Sequence, residues 1–243
     1  MKNINQEELN KILKEHELWL KREGGKRANL SNVDLSGANL KNANLKNANL
    51  SNTNLRCVNL KYADLRYTNL RYTDLRCVNL RCADLRYADL RYTNLSNADL
   101  SYSNLSYSNL KDTNLRCADL SSANLKDIKT NIHTIGYNLA CPETGSFIGY
   151  KKANGCIVKL LILEDSKRSS ATTAKCRCDK AKVLDIENIE TGDKVKEIRS
   201  SYDSNFIYKV GEIVSVDNFD NNRWNECSTG IHFFVNKENA INY

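Results

Sequence analysis

The amino-acid sequence predicts a mainly β protein, in which a β-solenoid is followed by a small β-rich domain. Leucine occupies every fifth position from Leu30 to Leu125, twenty leucines without a break. A helix repeats apolar residues every 3.6 positions and a strand every 2, so a strict period of five excludes both as the main element. A sustained short period is typical of solenoids, whose repeats pack only on their neighbours. The period is lost after residue 127, and beyond residue 140 short apolar runs between turn residues indicate strands.

Each five-residue unit has the same composition. A small residue precedes Asn or Asp and then Leu, after which come mostly Ser, Lys or Arg and one variable residue, as in Ala28-Asn29-Leu30 and Ala118-Asp119-Leu120. Asn and Asp suit tight turns because they tolerate unusual backbone angles and bond nearby main chain. The pattern resembles the pentapeptide-repeat family, whose motif is A(D/N)LXX, over all twenty units. This resemblance implies a right-handed quadrilateral β-helix of about five coils, with Leu and the small residue inside.

Residues twenty apart should then stack as columns. Residues 56–75 and 76–95 agree at fifteen of twenty positions. One inward column would be β-branched, namely Val33, Thr53, Thr73, Thr93 and Thr113. Outward columns would carry tyrosines and cysteines, namely Tyr67, Tyr87 and Tyr107, and Cys57, Cys77 and Cys117. We expect free thiols in the cysteine column, with a Cys57–Cys77 disulfide as the alternative.

Residues 1–27 are predicted to form a capping helix. Asn5 and Glu8 have the spacing of a capping box, and apolar residues share one helical face: Leu9, Ile12, Leu13, His16 and Leu20. Gly24 and Gly25 are predicted to end the helix. A helix at this position would block end-to-end association of the first coil, and binding a partner is its alternative role.

The chain is predicted to divide into the helix, a repeat tract at 28–127, a junction at 128–140 and a β-rich domain at 141–243, which begins beside Pro142. Its predicted strands are 146–150, 156–163, 182–189, 194–199, 206–216 and 231–235, followed by a short helix capped by Asn236. The segments 167–177, 206–214 and 225–234 resemble a C-terminal domain of unassigned function that follows such repeats in bacterial and phage proteins.

The net charge of +7 lies in the first 140 residues, because residues 141–243 carry equal numbers of acidic and basic side chains. A cation follows every leucine in one stretch of the repeats, which would form a basic belt: Arg56, Lys61, Arg66, Arg71, Arg76, Arg81, Arg86 and Arg91. Together with Tyr67, Tyr87 and Tyr107, this belt is the predicted binding surface. A protein partner is expected first, and nucleic acid or a nucleotide second. The alternative is a soluble surface in which Arg pairs with neighbouring Asp.

Some members of the resembled family mimic B-DNA with a strongly acidic rod and so occupy topoisomerases. Mimicry of this kind needs negative charge at phosphate-like spacing. The repeat tract of this chain is basic, which disfavours the hypothesis.

Three groups in the tail could carry chemistry. The first combines cations and hydroxyls suited to a phosphate-bearing ligand: Lys167, Arg168, Ser169, Ser170, Thr172 and Arg177. It lacks the glycines of a phosphate loop, so a polar loop between strands is its alternative. The second is a cysteine set around Cys176-x-Cys178, whose spacing fits no familiar zinc finger. The third pairs Cys227 with His232 as nucleophile and base, or as ordinary buried residues.

The sequence thus predicts a non-enzymatic binding or scaffold protein that uses no cofactor and no metal. A small-ligand receptor or enzyme in the tail, using Lys167, Arg168 and Arg177 with Glu226 or His232, is the rival class. We expect a cytoplasmic protein that does not enter the membrane, since no apolar run reaches the length of a signal or a span. Dimerisation through the tail is a further expectation from the resemblance.

Overall fold

The computed structural model describes residues 1–243 and is mainly β, as predicted. The chain divides into two compact units, Met1–Asn138 and Leu139–Tyr243. The first unit begins with β1 (Lys2–Asn3), α1 (Gln6–Lys21) and β2 (Val33–Asp34), and β1 pairs with β2 in parallel. No helix has both the length and the apolar character that a bilayer span requires.

The repeats form a ladder of parallel bridges between residues twenty apart. The bridges begin at Asn29↔Asn49 and recur at every fifth residue to Asn104↔Asn124. The backbone N–H groups of the leucines from Leu30 to Leu115 strengthen the ladder, as Leu30 donates to the carbonyl of Asn49 at 2.8 Å. Four five-residue units therefore make one turn, and residues twenty apart are neighbours in successive turns.

The ladder extends into residues 128–140, the segment predicted as a junction. Lys129 pairs with Asn109 and Ile135 with Asn114, although both lie beyond Leu125, the last leucine of the repeat. The pairing continues because it uses main-chain groups. The ladder of backbone bridges therefore extends beyond the last leucine of the repeat.

Leucine and the small residue fill the interior of the ladder. The leucines from Leu30 to Leu120 are at most 2% exposed, and the column from Val33 to Thr113 is buried throughout. Its threonines keep their hydroxyls bonded, as Thr73 Oγ1 donates to the Leu50 carbonyl at 2.9 Å. A buried hydroxyl without a partner would be unfavourable, so this bond explains why Thr substitutes for Val here.

Each unit turns at the second residue after its leucine. There φ lies between 55° and 63°, the left-handed region, for Asn, Asp, Ser, Cys and Tyr alike, and is 76° at Gly37. The Asn or Asp before the leucine supports the turn from outside, since Asn54 Oδ1 accepts from the Arg56 backbone N–H at 3.2 Å. The sequence predicts tight-turn angles for the Asn or Asp before each leucine. The left-handed angles instead occur at the second residue after each leucine, whatever its type.

Helix α1 is capped at both ends and is held against the first turns by one buried histidine. Asn5 Oδ1 accepts from the Glu8 N–H at 2.8 Å, as the capping box predicts. His16 is fully buried, and its Nδ1 accepts from the Ala28 N–H at 3.1 Å. The helix ends at Lys21, and Arg22 takes the left-handed capping position ahead of the two predicted glycines.

The second unit contains nine strands and one helix. Their bounds are β3 (Phe147–Ala153), β4 (Cys156–Ile162), β5 (Arg168–Ser170), β6 (Lys175–Cys178), β7 (Lys180–Asn188), β8 (Glu197–Arg199), β9 (Ile207–Lys209), β10 (Ile213–Ser215), β11 (Ile231–Phe234) and α2 (Lys237–Ile241). Seven strands form a sheet in the order β10-β7-β4-β3-β11-β6-β5, and β8 pairs with β9 separately. All pairs are antiparallel.

Two features of the second unit differ from the sequence prediction. The predicted strand 206–216 is two strands, because Gly211 at φ 92° reverses the chain between them. The polar segment expected as a loop contributes β5 and β6, and Ser169 and Arg177 within them are buried. The predicted cap of α2 is confirmed, since Asn236 accepts from the Glu238 N–H at 2.8 Å.

Candidate functional site

The outer surface of the repeat unit carries tyrosines that stack on one another. Tyr67, Tyr87 and Tyr107 form one ladder, with ring centroids 4.8 and 4.9 Å apart and planes within 6° of parallel. Tyr72 and Tyr92 form a second stack at 4.9 Å. The five rings are 41–51% exposed. The two stacks thus form flat aromatic strips, in which each ring is fixed by contact with its neighbour.

The arginines of the basic belt fall into two sets. Four follow an aspartate by two positions and donate to its carboxylate at 2.6–2.7 Å: Arg66, Arg76, Arg86 and Arg91. The hydrogen bond from Arg76 is the main cause that holds the pKa of Asp74 below its usual value. Three follow an asparagine and form no ion pair: Arg56, Arg71 and Arg81. The first set is neutralised locally and the second keeps its charge.

Two arginines of the second set lie against tyrosine rings. The guanidinium carbon of Arg81 is 4.5 Å from the ring centroid of Tyr102, and that of Arg71 is 5.3 Å from Tyr72. Cation–π contact orients the guanidinium while leaving one of its faces to solvent. The belt therefore offers oriented cations between aromatic strips.

A groove of about 760 Å³ runs between α1 and the adjacent repeats. Lys14 and Lys21 line it from the helix, and Lys46 and Arg66 from the repeats. Glu17 is the one acidic lining residue and is paired with Lys21 at 2.7 Å. The groove extends the positive surface toward the N-terminal end of the unit.

In the second unit, the residues predicted to bind an anion are mostly engaged by the protein itself. The Arg168 guanidinium donates to five backbone carbonyls: Pro142, Gly145, Leu163, Glu164 and Ser166. Arg177 is 1% exposed and donates to the carbonyls of Asp220, Asn222 and Thr229 at 2.8–3.0 Å. Both arginines therefore organise loops.

The hydroxyls of the same group do not converge on open space. Ser169, Ser170 and Thr172 are buried, and the Ser170 hydroxyl accepts from the Ala140 N–H at 2.8 Å. Lys167 is exposed and lies outside this buried set. The structure thus distributes the six predicted residues between the sheet interior and its surface.

The cysteines of the second unit are mostly core residues. Cys141, Cys156, Cys176 and Cys178 are buried in one apolar cluster. No three His, Cys, Asp or Glu side chains are arranged to hold a metal ion. Burial raises the pKa of Cys178 well above its usual value. These thiols pack as small apolar groups.

Cys227 and His232 have different neighbours. The Nε2–H of His232 donates to the Ser228 carbonyl at 3.0 Å, and burial with Lys151 and Lys175 nearby lowers the pKa of His232 to about 4. Cys227 Sγ instead accepts from the Lys175 ammonium at 3.4 Å. The structure does not join them as a nucleophile and base.

Both residues line a cleft of about 800 Å³ that the sequence analysis missed. The cleft lies beside β3 and β11, which share one register pair, Phe234↔Tyr150, before separating. Lys151 and Lys175 line it while being only 9% and 5% exposed. Strand alternation could have revealed Lys151, which occupies an inward position between Gly149 and Ala153 in β3.

Comparison with known families assigns both units. The pentapeptide-repeat model matches residues 26–61, 54–91 and 93–129, and a family of unknown function, DUF5758, matches residues 137–240. No protein with a curated description matches the chain.

Several solved structures are similar over the repeats. Rfr23 from the cyanobacterium Cyanothece 51142 is 30% identical, with 52% of this chain and 97% of that chain covered and a TM-score of 0.45. The protein alr5209 from Nostoc Pcc 7120 is 25% identical, with 49% and 93% covered and a TM-score of 0.37. QnrB1, a plasmid-mediated fluoroquinolone resistance protein, is 18% identical, with 46% and 71% covered and a TM-score of 0.20. The repeat pattern, the family-model matches and the 30% sequence identity to Rfr23, with 97% of that chain covered, show that the chain belongs to the pentapeptide-repeat protein family, with a C-terminal domain of unknown function.

Proposed function

We propose that the repeat unit is a non-enzymatic binding surface for a protein partner, centred on the ladder of Tyr67, Tyr87 and Tyr107. The observation that carries this proposal is the exposed stack itself, at 4.8–4.9 Å between rings. Tyrosine and arginine are enriched at the energetic centres of protein interfaces. Rings already fixed by stacking lose little further freedom on binding, which favours association.

The charge pattern favours a partner with an acidic face. Arg86 lies directly before Tyr87 in sequence and forms an ion pair of no net charge with Asp84, whereas Arg71 and Arg81 keep unpaired charge. Unpaired cations around a largely neutral aromatic centre steer an acidic surface without a large desolvation penalty at the centre. The excess positive charge gives little support to the alternative of a DNA mimic, which needs an acidic rod.

The proposal includes the finer fold expected of the family. The repeats would form about five right-handed, four-sided coils, and α1 would act as their cap. The support for the cap is that His16 bonds to Ala28 and so fixes the helix beside the first turns, where main-chain groups would otherwise be exposed to a second copy. A capped solenoid presents its sides, rather than its end, to a partner.

The test is affinity capture from cell lysate with the full-length chain and two matched variants. One variant changes Tyr67, Tyr87 and Tyr107 to Ser, and the control changes three exposed tyrosines outside the ladder, Tyr62, Tyr202 and Tyr243, to Ser. We expect a nuclease-resistant protein partner that the ladder variant loses and the control keeps. The partner is then purified and its Kd measured for all three chains.

Two results would reject the proposal. Equal capture by the ladder variant and the control would remove the ladder as the interface. Loss of all captured protein after nuclease treatment, together with a gel shift on nucleic acid that weakens steeply with salt, would assign the surface to nucleic acid instead.

A further inference from the structure

The cleft in the second unit is lined by a buried lysine, Lys151, whose ammonium bonds to no group of the protein. Lys151 is only 9% exposed, and its ammonium forms no hydrogen bond and no ion pair. The ammonium is not fully enclosed by protein, because it lines the cleft. Burial lowers its pKa, and the charge of Lys175 lowers it further. Buried cations in proteins are normally paired, so this position favours an anion in the cleft.

Lys175 has hydrogen-bond partners but forms no ion pair. Its ammonium donates to Tyr243 Oη at 3.1 Å and to Cys227 Sγ at 3.4 Å. Burial opposes its protonation, yet the bond to Tyr243 and the nearby Cys227 and Glu226 raise the pKa of Lys175 overall, so it stays cationic. The nearby carboxylate of Glu226 accepts from the Thr173 hydroxyl and forms no ion pair with Lys175.

The remaining lining leaves the cleft positive. Lys152 adds a third cation at the rim, where its ammonium donates to the Ile241 carbonyl at 2.9 Å, and Asp203 is the one acidic lining residue. His232 is neutral near pH 7, because its pKa is about 4. Two cations more than anions therefore face a single cleft.

The other walls are apolar and aromatic. Phe206, Tyr208 and Phe234 line the cleft, and Phe206 and Tyr208 meet edge to face at 5.2 Å. Ligand sites in proteins combine such apolar walls with a few convergent polar groups. The charged end of a ligand would meet the lysines while its body packs on the rings.

We propose that this cleft binds a small phosphate monoester with an aromatic or apolar body, held by Lys151 and Lys175. A phosphate monoester carries about −1.5 to −2 charge near pH 7, which matches the excess of two cations better than a carboxylate does. Lysine binds phosphate as a point charge and needs no planar geometry. The site is independent of the repeat surface, so it can fail or succeed separately from the function proposed for that surface.

The experiment is a ligand-detected NMR titration of the full-length chain with phenyl phosphate. Phenol supplies the ring without the charge, inorganic phosphate the charge without the ring, and benzoate the carboxylate counterpart. We expect phenyl phosphate to bind at least tenfold more tightly than each of the other three. K151M and K175M should each weaken phenyl phosphate about tenfold and leave phenol within twofold. K182M, which removes an exposed lysine outside the cleft, should match the native chain.

A second measurement needs no variant. Saturating phenyl phosphate should raise the thermal unfolding midpoint of the native chain, whereas phenol and inorganic phosphate at the same concentration should not. Equal affinity in the native chain, K151M and K175M, or no rise of the midpoint with phenyl phosphate, would overturn the site. Benzoate binding as tightly as phenyl phosphate would overturn the assignment to phosphate monoesters.

Discussion

The tyrosine ladder allows its stacking energy to be measured against a matched control. Tyr87 lies between Tyr67 and Tyr107 at 4.8 and 4.9 Å, so Tyr87→Asn removes two ring stacks. Tyr62 occupies the same turn position, with φ 62° against 60° and similar exposure of 51% against 46%. It lies beside one ammonium, Lys61 Nζ at 4.9 Å from its centroid, and stacks on no ring. Tyr62→Asn is therefore the control.

The magnitude follows from three contributions. Two exposed stacks contribute about 1–2 kcal/mol together, taken from the lower part of the range for aromatic pairs. Asn tolerates the left-handed angle better than Tyr, so both variants regain roughly 0.5 kcal/mol at this position. The exposed contact of Tyr62 with Lys61 is worth about 0.5 kcal/mol, which that relief offsets. We expect Tyr87→Asn to destabilise the repeat unit by about 1 kcal/mol and Tyr62→Asn to change it little.

The assay is thermal unfolding of the full-length chain by far-UV circular dichroism. Hydrogen exchange of peptides from residues 28–127 assigns the transition to the repeats, since the two units need not unfold together. A loss of about 1 kcal/mol should lower the midpoint by roughly 2–4 °C. Equal losses in both variants, or a gain in Tyr87→Asn, would refute the conclusion that stacking outweighs backbone strain in the ladder.

Three further predictions concern the two interiors. Leu75→Ala should destabilise the repeat unit by about 3–5 kcal/mol, because the side chain is fully buried, and urea unfolding measures the loss. Arg177→Met should destabilise the second unit by about 3 kcal/mol or more by leaving three carbonyls without their donor, and faster hydrogen exchange in residues 219–230 would report it. The pKa of His232 is about 4 in the folded state and near 6.5 in the unfolded chain, so the unfolded chain binds more protons between these pH values. The free energy of unfolding should therefore decrease as the pH is lowered from 6.5 to 4. Unfolding curves measured over this pH range should show a weaker dependence for His232→Gln.

The sequence predicts the repeat architecture well because its leucine period and its backbone period coincide. Each leucine marks one bridge, so the spacing of Leu75 and Leu95 translates directly into neighbouring turns. The tyrosine stacks follow from the same arithmetic. What the period could not reveal is where the ladder ends, since Lys129 and Ile135 pair through main-chain groups that every residue carries.

The second unit was less predictable because its short strands depend on contacts distant in sequence. The composition predicts a polar loop around Ser169, yet β5 contains this residue and the sheet buries it. Arg177 lies in β6, where backbone carbonyls of the 219–230 segment accept from its guanidinium. Gly211, by contrast, divides the predicted strand 206–216 by local backbone geometry, a signal that was present in the sequence.

Density of polar residues is a poor guide to a binding site in this domain, and the reason is physical. Arg168 has a planar fork of donors that backbone carbonyls can satisfy completely, so its charge is compatible with a structural role. Lys151 has a compact charge on an inward strand position, and its ammonium bonds to no group of the protein and faces the cleft. The role of Arg168 is explained by the loop that it stabilises, whereas no such contact explains a buried lysine at position 151. Lysine on the otherwise apolar inward face of β3 is therefore the stronger functional signal of the two.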